Sequence, residues 1–176
     1  MNLKQDETTQ DTASNKSASR EIAANLDLFR HRFGSRVRNS DCDRQNIVHN
    51  AVYLYWLEAA RVEYFRDIGL PIDRKTFITK HHFVVAHLEI NYLWAAQFDD
   101  EYVVRTRTGF VRNTSFGMDQ IISLPDGKTL LTAQAVLVNL NPADQRPQRI
   151  PDSYRKLVKD FEGSTVEISQ WDKYSA

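Results

Sequence analysis

Residues 36–71 read RVRNSDCDRQNIVHNAVYLYWLEAARVEYFRDIGLP, a polar loop joined directly to an apolar helix. The loop carries two carboxylates, Asp41 and Asp43, and Asn50 stands where a helix N-cap is expected. Beyond it Tyr53, Trp56, Leu57, Ala60 and Tyr64 recur at helical spacing. Val52, Leu54, Tyr55 and Ala59 fill most of the other faces, and charges become regular only from Glu58 onward. A helix apolar on all sides at its start is expected to be buried there and wetter toward its C-terminal end. Gly69 and Pro71 supply the stop.

On the N-terminal side, Phe33 and Val37 among arginines read as a first strand ending near Arg38. After a loop near 72–80 the period switches to two, with Ala86, Leu88, Ile90 and Tyr92 on one side. Residues 102–112 are rich in Val and Thr, and Phe116, Met118, Gln120 and Ile122 begin another alternation. Leu124-Pro125-Asp126-Gly127-Lys128 is a hairpin turn, and 129–140 a long strand. Pro142, Pro147 and Pro151 end that strand, and Tyr154, Leu157, Val158 and Phe161 predict a short terminal helix. Short links make consecutive strands antiparallel. A long apolar helix and such a sheet must bury each other, so the fold class is α+β in a single domain over 27–162. Residues 1–26 read as a mobile polar N-terminal tail and 163–176 as a C-terminal tail.

The chain has 176 residues, with 23 Lys plus Arg against 23 Asp plus Glu. Zero formal charge argues against a nucleic-acid partner held by electrostatics. One cysteine, Cys42, excludes an intrachain disulfide and points to a reducing compartment. Its aspartate neighbours disfavour a thiolate nucleophile. No run approaches the roughly 18 apolar residues of a membrane span, and the N-terminus has no signal-peptide h-region, so cytoplasmic localisation is expected. His81, His82 and His87 show no metal-ligand spacing with a second cluster, and no metal is expected. G-x-S-x-G, P-loop and dinucleotide fingerprints do not occur.

The chemistry therefore concentrates at the loop and helix start. Two carboxylates at i and i+2 on an extended segment point to opposite sides, so one can brace the loop while the other faces a pocket as a base. The first N–H groups of a helix lack intrahelical partners and suit a developing oxyanion, which makes the Asn50 N–H a candidate. His49 is an acid or base candidate, and Glu58 a reserve one. Glu58 with Arg61, three residues on, reads as a surface ion pair. Arg105, Arg107 and Arg112 read as a solvated strand face, or as contacts to phosphates.

S-D-C-D-x-x-x-I-V-x-N-x-x-Y-x-x-W-L-E-A-A-R, at 40–61, resembles the acyl-CoA thioesterases of the hot-dog fold. It is most similar to the 4-hydroxybenzoyl-CoA thioesterase type and its relatives from the cell-envelope Tol-Pal gene neighbourhood. The resemblance implies a five-stranded antiparallel sheet wrapped around a long central helix, in a homodimer or homotetramer with active sites at the subunit interface. It implies hydrolysis of an acyl or aroyl thioester, with Asp43 as nucleophile or general base and the Asn50 N–H polarising the carbonyl. His49 and Tyr53 then border the substrate, and Arg112, Thr114 and Ser115 fall at the coenzyme A phosphates. No cofactor is implied, coenzyme A being part of the substrate. Arg44-Gln45-Asn46 replaces the family's usual Gly-containing stretch, although Asn46 can take the left-handed conformation of Gly. A non-catalytic hot-dog module that binds acyl-CoA or supports an assembly is the alternative that this departure raises. A hydratase is another, although it requires an Asp/His or His/Glu pair at a different spacing.

Overall fold

The helix that follows the aspartate loop is α1, Asn50–Asp67, and the sheet is laid against it. Residues 25–74 and 82–169 of the computed structural model are described. The strands are β1 (His31–Arg36), β2 (Phe83–Tyr92), β3 (Glu101–Val111), β4 (Ser115–Ser123), β5 (Thr129–Asn139) and β6 (Glu167–Ile168), with a second helix, α2 (Asp152–Glu162). They form one sheet in the order β1-β3-β4-β5-β2, antiparallel throughout, with β6 added parallel to β3. Among the described residues β2 pairs on one side only and is an edge strand.

The sixth strand corrects the expected five and shortens the expected C-terminal tail. Gly163, at φ +70°, ends α2, and a 3-10 turn over Gly163–Thr165 returns the chain to the sheet. Val166 is buried there and the Ser169 amide donates to the Val111 carbonyl at 3.0 Å. The tail residues 1–24 and 170–176 lie outside the described residues. The hairpin turn forms as expected: Leu124 N–H donates to Lys128 O at 2.9 Å, and Gly127 takes φ +90°.

Helix α1 buries Tyr53, Trp56, Leu57, Ala60, Arg61, Tyr64 and Phe65, a stripe at helical spacing. Its start is not buried on all sides as expected, since Tyr55 is 70% and Leu54 39% exposed. The stripe divides the core in two. Near the helix start Trp56 stacks on Tyr102 at 3.9 Å, with Val104, Ile122 and Leu131. Toward its end Phe65, Phe116, Met118 and Tyr154 of α2 form a second, aromatic cluster. Between them lies a polar seam. Arg61 does not pair with Glu58 at the surface; it turns inward and donates to Gln120 Oε1 at 2.9 Å, while Gln120 Nε2 donates to Leu57 O and Thr106 Oγ1. Burial lowers the Arg61 pKa. A buried guanidinium is tolerated where its donors find acceptors.

Candidate functional site

The loop between β1 and α1 is a small hairpin held at both ends. The Arg38 N–H donates to Asp41 Oδ2 at 2.9 Å, and the Asp41 carbonyl accepts the His49 N–H at 2.9 Å. Asp41 therefore braces the loop. Asp43 starts its tip, its N–H donating to Ile47 O at 2.9 Å and its carbonyl accepting from Asn46 at 3.0 Å. Closing that turn needs positive φ, which Asn46 supplies at +59°. Asp43 Oδ1 accepts the Gln45 N–H at 2.7 Å; Oδ2 has no protein donor among the described residues and Asp43 is exposed.

The helix begins one residue earlier than Asn50 as cap would require. His49 is the N-cap, extended at ψ 135°, and its Nδ1 accepts the Ala51 N–H at 3.1 Å, shared with Asn50 Oδ1 at 3.0 Å. An accepting Nδ1 places the proton of a neutral ring on Nε2. Asn50 is thus the first helical residue, and its N–H donates to no acceptor among the described residues.

Asp43 and Asn50 line one cavity of about 370 Å³. Ile47, Val48 and Tyr53 line it from the loop and helix, and Tyr92, Leu93, Trp94 and Ala95 from the end of β2. The two sides are stitched together: Val48 N–H donates to Ala96 O at 2.9 Å, Ala96 N–H to Tyr53 Oη at 2.9 Å, and Tyr92 Oη to Asn50 O at 3.1 Å. Burial raises the Tyr53 phenol pKa against the opposing effect of the Ala96 N–H. Burial and the carboxylates of Asp41, Asp43 and Asp100 raise that of the half-buried Cys42 thiol, in the loop itself. Among the described residues no cluster of His, Cys, Asp or Glu is arranged to hold a metal.

Asp43, His49, Asn50 and Tyr53 line this one cavity; Arg112, Thr114 and Ser115 are not with them. The pairing ladder puts Ser115 level with Val138 and Val84, whereas Tyr92 of the cavity lies level with Leu131. That separation is about 25 Å along the strands. Arg112 there bonds Glu167 at 2.6 Å and Ser169 at 3.1 Å. Arg107 is not a solvated arginine either: it pairs with Asp119 at 3.1 Å across the β3–β4 ladder, both largely covered. The wall Tyr92-Leu93-Trp94 went unread in the sequence, where its signal is a break in the period-two alternation by consecutive large apolar residues.

A family model described as "Thioesterase-like superfamily" matches residues 37–158. The chain belongs to this superfamily. Its hot-dog architecture agrees with the superfamily's solved members. The acyl-CoA thioester hydrolase YbgC of Escherichia coli O6:H1 is 28% identical over 137 residues, covering 78% of this chain and 98% of the relative. A thioesterase of Thermus thermophilus, crystallised with coenzyme A and zinc, is 32% identical at a TM-score of 0.68, covering 77% of this chain and 96% of that one. The 4-hydroxybenzoyl-CoA thioesterase of Pseudomonas sp. strain CBS-3 is 26% identical at a TM-score of 0.65, covering 72% and 96%. The match runs from residue 37 into α2, so every residue lining the cavity lies inside the matched span.

Proposed function

We propose that this thioesterase hydrolyses an acyl or aroyl thioester of coenzyme A, with Asp43 as nucleophile or general base and the Asn50 N–H as oxyanion donor. The carrying observation is that Asp43 and Asn50 line the same partly apolar cavity, the one with a carboxylate oxygen and the other with an N–H that has no partner among the described residues. A thioester carbonyl oxygen directed at Asn50 gains a preorganised donor at the positive end of α1. Asp43 then removes a proton from water as it attacks the carbonyl carbon, or attacks it directly to give an acyl-aspartyl anhydride that water opens. In either course the C–S bond breaks and the coenzyme A sulfur leaves as thiolate, to be protonated by solvent. The Tyr53 ring and the His49 edge border the acyl carbon in this reading.

The same reading makes the protein a homodimer or higher homo-oligomer. Support comes from the one-sided pairing of β2, its exposed Val84 and Val85, and the exposed Leu54 and Tyr55 of α1. Antiparallel association of two β2 edges carries the Val84 end of one copy to the Tyr92 end of the other. Arg112, Thr114 and Ser115 then serve the partner's Asp43, consistent with their distance from their own. The test is Asp43→Asn assayed on a panel of acyl-CoAs. Hydrolysis is expected to fall by about 10³-fold or more while the oligomer and its melting temperature persist; undiminished turnover rejects Asp43 as the reacting carboxylate.

A further inference from the structure

Strand β6 takes an edge of β3 that β1 leaves open. β1 pairs with residues 101–106 of β3, and β6 pairs with Phe110 and Val111 beyond them. This sets Glu167 level with Phe110 and leads the chain past Arg112, where β3 turns into β4. Arg112 Nη1 donates to Glu167 Oε1 at 2.6 Å and to Ser169 Oγ at 3.1 Å, and the guanidinium lies 5.2 Å from the centre of the Phe110 ring. Its Nε and Nη2 donate to no acceptor among the described residues. The backbone on either side is fixed as well. The buried Arg155 of α2 donates from Nη2 to the carbonyls of Arg112 and Asn113, from Nε to Ile150 O at 3.2 Å and from Nη1 to Ser169 O at 3.4 Å. One guanidinium thus ties the β3–β4 turn, the approach to α2 and the end of β6 together.

A long side chain loose in water has many rotamers, and ordering it on a ligand costs affinity. Arg112 is ordered in advance: β6 anchors Nη1, and the Nε–Nη2 edge is left as a two-pronged donor of the kind that suits a phosphate. Arg112 and Glu167 are both about half exposed or more, so their ion pair adds little to stability; what it fixes is direction. Resting on the thioesterase reading and on its placing of Arg112 at the partner's coenzyme A, we infer that β6 is a positioning element for that substrate. Glu167 and Ser169 hold Arg112 so that its open edge meets a phosphate, and they stay in place when the phosphate arrives, since one guanidinium has donors for all three. The sixth strand, an addition to the five that the family resemblance implies, then raises affinity for the phosphate-bearing end of coenzyme A and leaves the chemical step alone. A thioester without phosphates gains nothing from it.

The experiment uses one acyl group borne by coenzyme A and by pantetheine, which has no phosphate. The full chain is compared with Arg112→Ala, Glu167→Ala/Ser169→Ala and Glu167→Gln. Glu167 is exposed and Ser169 half-buried, and melting temperatures check that the variants fold. If the double variant melts below the parent, Glu167→Ala alone supplies the same comparison. For acyl-CoA, KM is expected to rise about 10-fold in Arg112→Ala and about 3–5-fold in the double variant, with kcat unchanged. Glu167→Gln keeps an acceptor oxygen for Nη1 and is expected to stay within about 2-fold of the parent. On acyl-pantetheine kcat/KM is expected to hold in every variant. An acyl-CoA KM that stays level or falls in the double variant, while Arg112→Ala raises it, overturns the positioning role and leaves Arg112 on the phosphate. Equal losses on both thioesters make β6 merely structural and overturn the inference too. An unmoved KM in Arg112→Ala removes Arg112 from the phosphates and the inference with it, while hydrolysis stands. A parent that hydrolyses neither thioester rejects the thioesterase reading itself.

Discussion

The Tyr53 hydroxyl accepts a 2.9 Å hydrogen bond from the amide of Ala96, a residue with no exposed surface. One bond thereby joins the first turn of α1 to the segment that forms the facing wall of the cavity. Tyr53→Phe keeps the ring and its edge contact with Trp56 but leaves the Ala96 N–H buried and unpaired. The expected cost is about 1–3 kcal/mol. For a chain of this size that lowers the melting temperature by roughly 2–10 °C. A thermal melt checks it, and kcat/KM is expected to fall as the wall loosens.

Asn50→Pro isolates the proposed oxyanion donor. Proline is favoured at the first helical position, and His49 at ψ 135° already has the extended conformation that a residue before proline needs. The Ala51 N–H keeps His49 Nδ1 as acceptor. Stability is thus expected to change by less than about 1 kcal/mol, while kcat falls about 10²–10³-fold as one oxyanion donor is lost. Steady-state kinetics beside a melting curve separate the two effects; a fully active, folded variant rules out this N–H.

Gly117 is opposite Phe110 on the β3–β4 ladder, and a Cβ at 117 would overlap the Phe110 ring. Gly117→Ala is expected to destabilise by about 1–3 kcal/mol through overpacking. Phe110→Leu in the same chain should recover much of that loss, and a double-mutant cycle in urea measures the coupling.

Glu162 sets a pH dependence on stability. Its carboxyl is buried, with Tyr64 Oη donating to Oε1 at 2.8 Å and Thr108 N–H at 2.9 Å, while Oε2 has no partner among the described residues. Burial raises its pKa above the ordinary 4.5 despite those donors and the charges of Arg107 and Arg30. The folded state then binds more protons than the unfolded one above pH 4.5, so this group's contribution is full below that pH and is lost as pH rises through the folded value. Glu162→Gln keeps both donors satisfied and is expected to flatten the decline. Chemical denaturation from about pH 4 to about pH 8 reads the slopes.

The parts legible in the sequence were those decided by neighbours along the chain. The α1 stripe, its Gly69 stop, the Gly127 turn and the bracing role of Asp41 each depend on residues within a few positions. What escaped depends on partners far away. Arg61 turns inward because Gln120, 59 residues on, offers an acceptor inside the sheet, so its spacing from Glu58 misleads. β6 forms because Val166 finds a buried place beside Val111, which no local pattern announces. Arg112 to Ser115 sit at the turn from β3 into β4, and which end of the sheet lies near Asp43 follows only from strand order and register. The N-cap slipped by one because a histidine ring nitrogen took the role that Asn usually fills.

Among the described residues, Val84 to Tyr92 of β2 pair in the sheet through β5 alone, with Val84 and Val85 exposed, on a chain whose isoelectric point is about 7.0. Near neutral pH no net charge holds such edges apart. Solubility of a chain with this edge open is therefore expected to be lowest close to the isoelectric point, where such edges are also free to pair strand to strand. A partner that covered that edge would protect the protein colloidally as well as structurally, and buffers well away from neutrality are the conditions under which chains with the edge open stay dispersed.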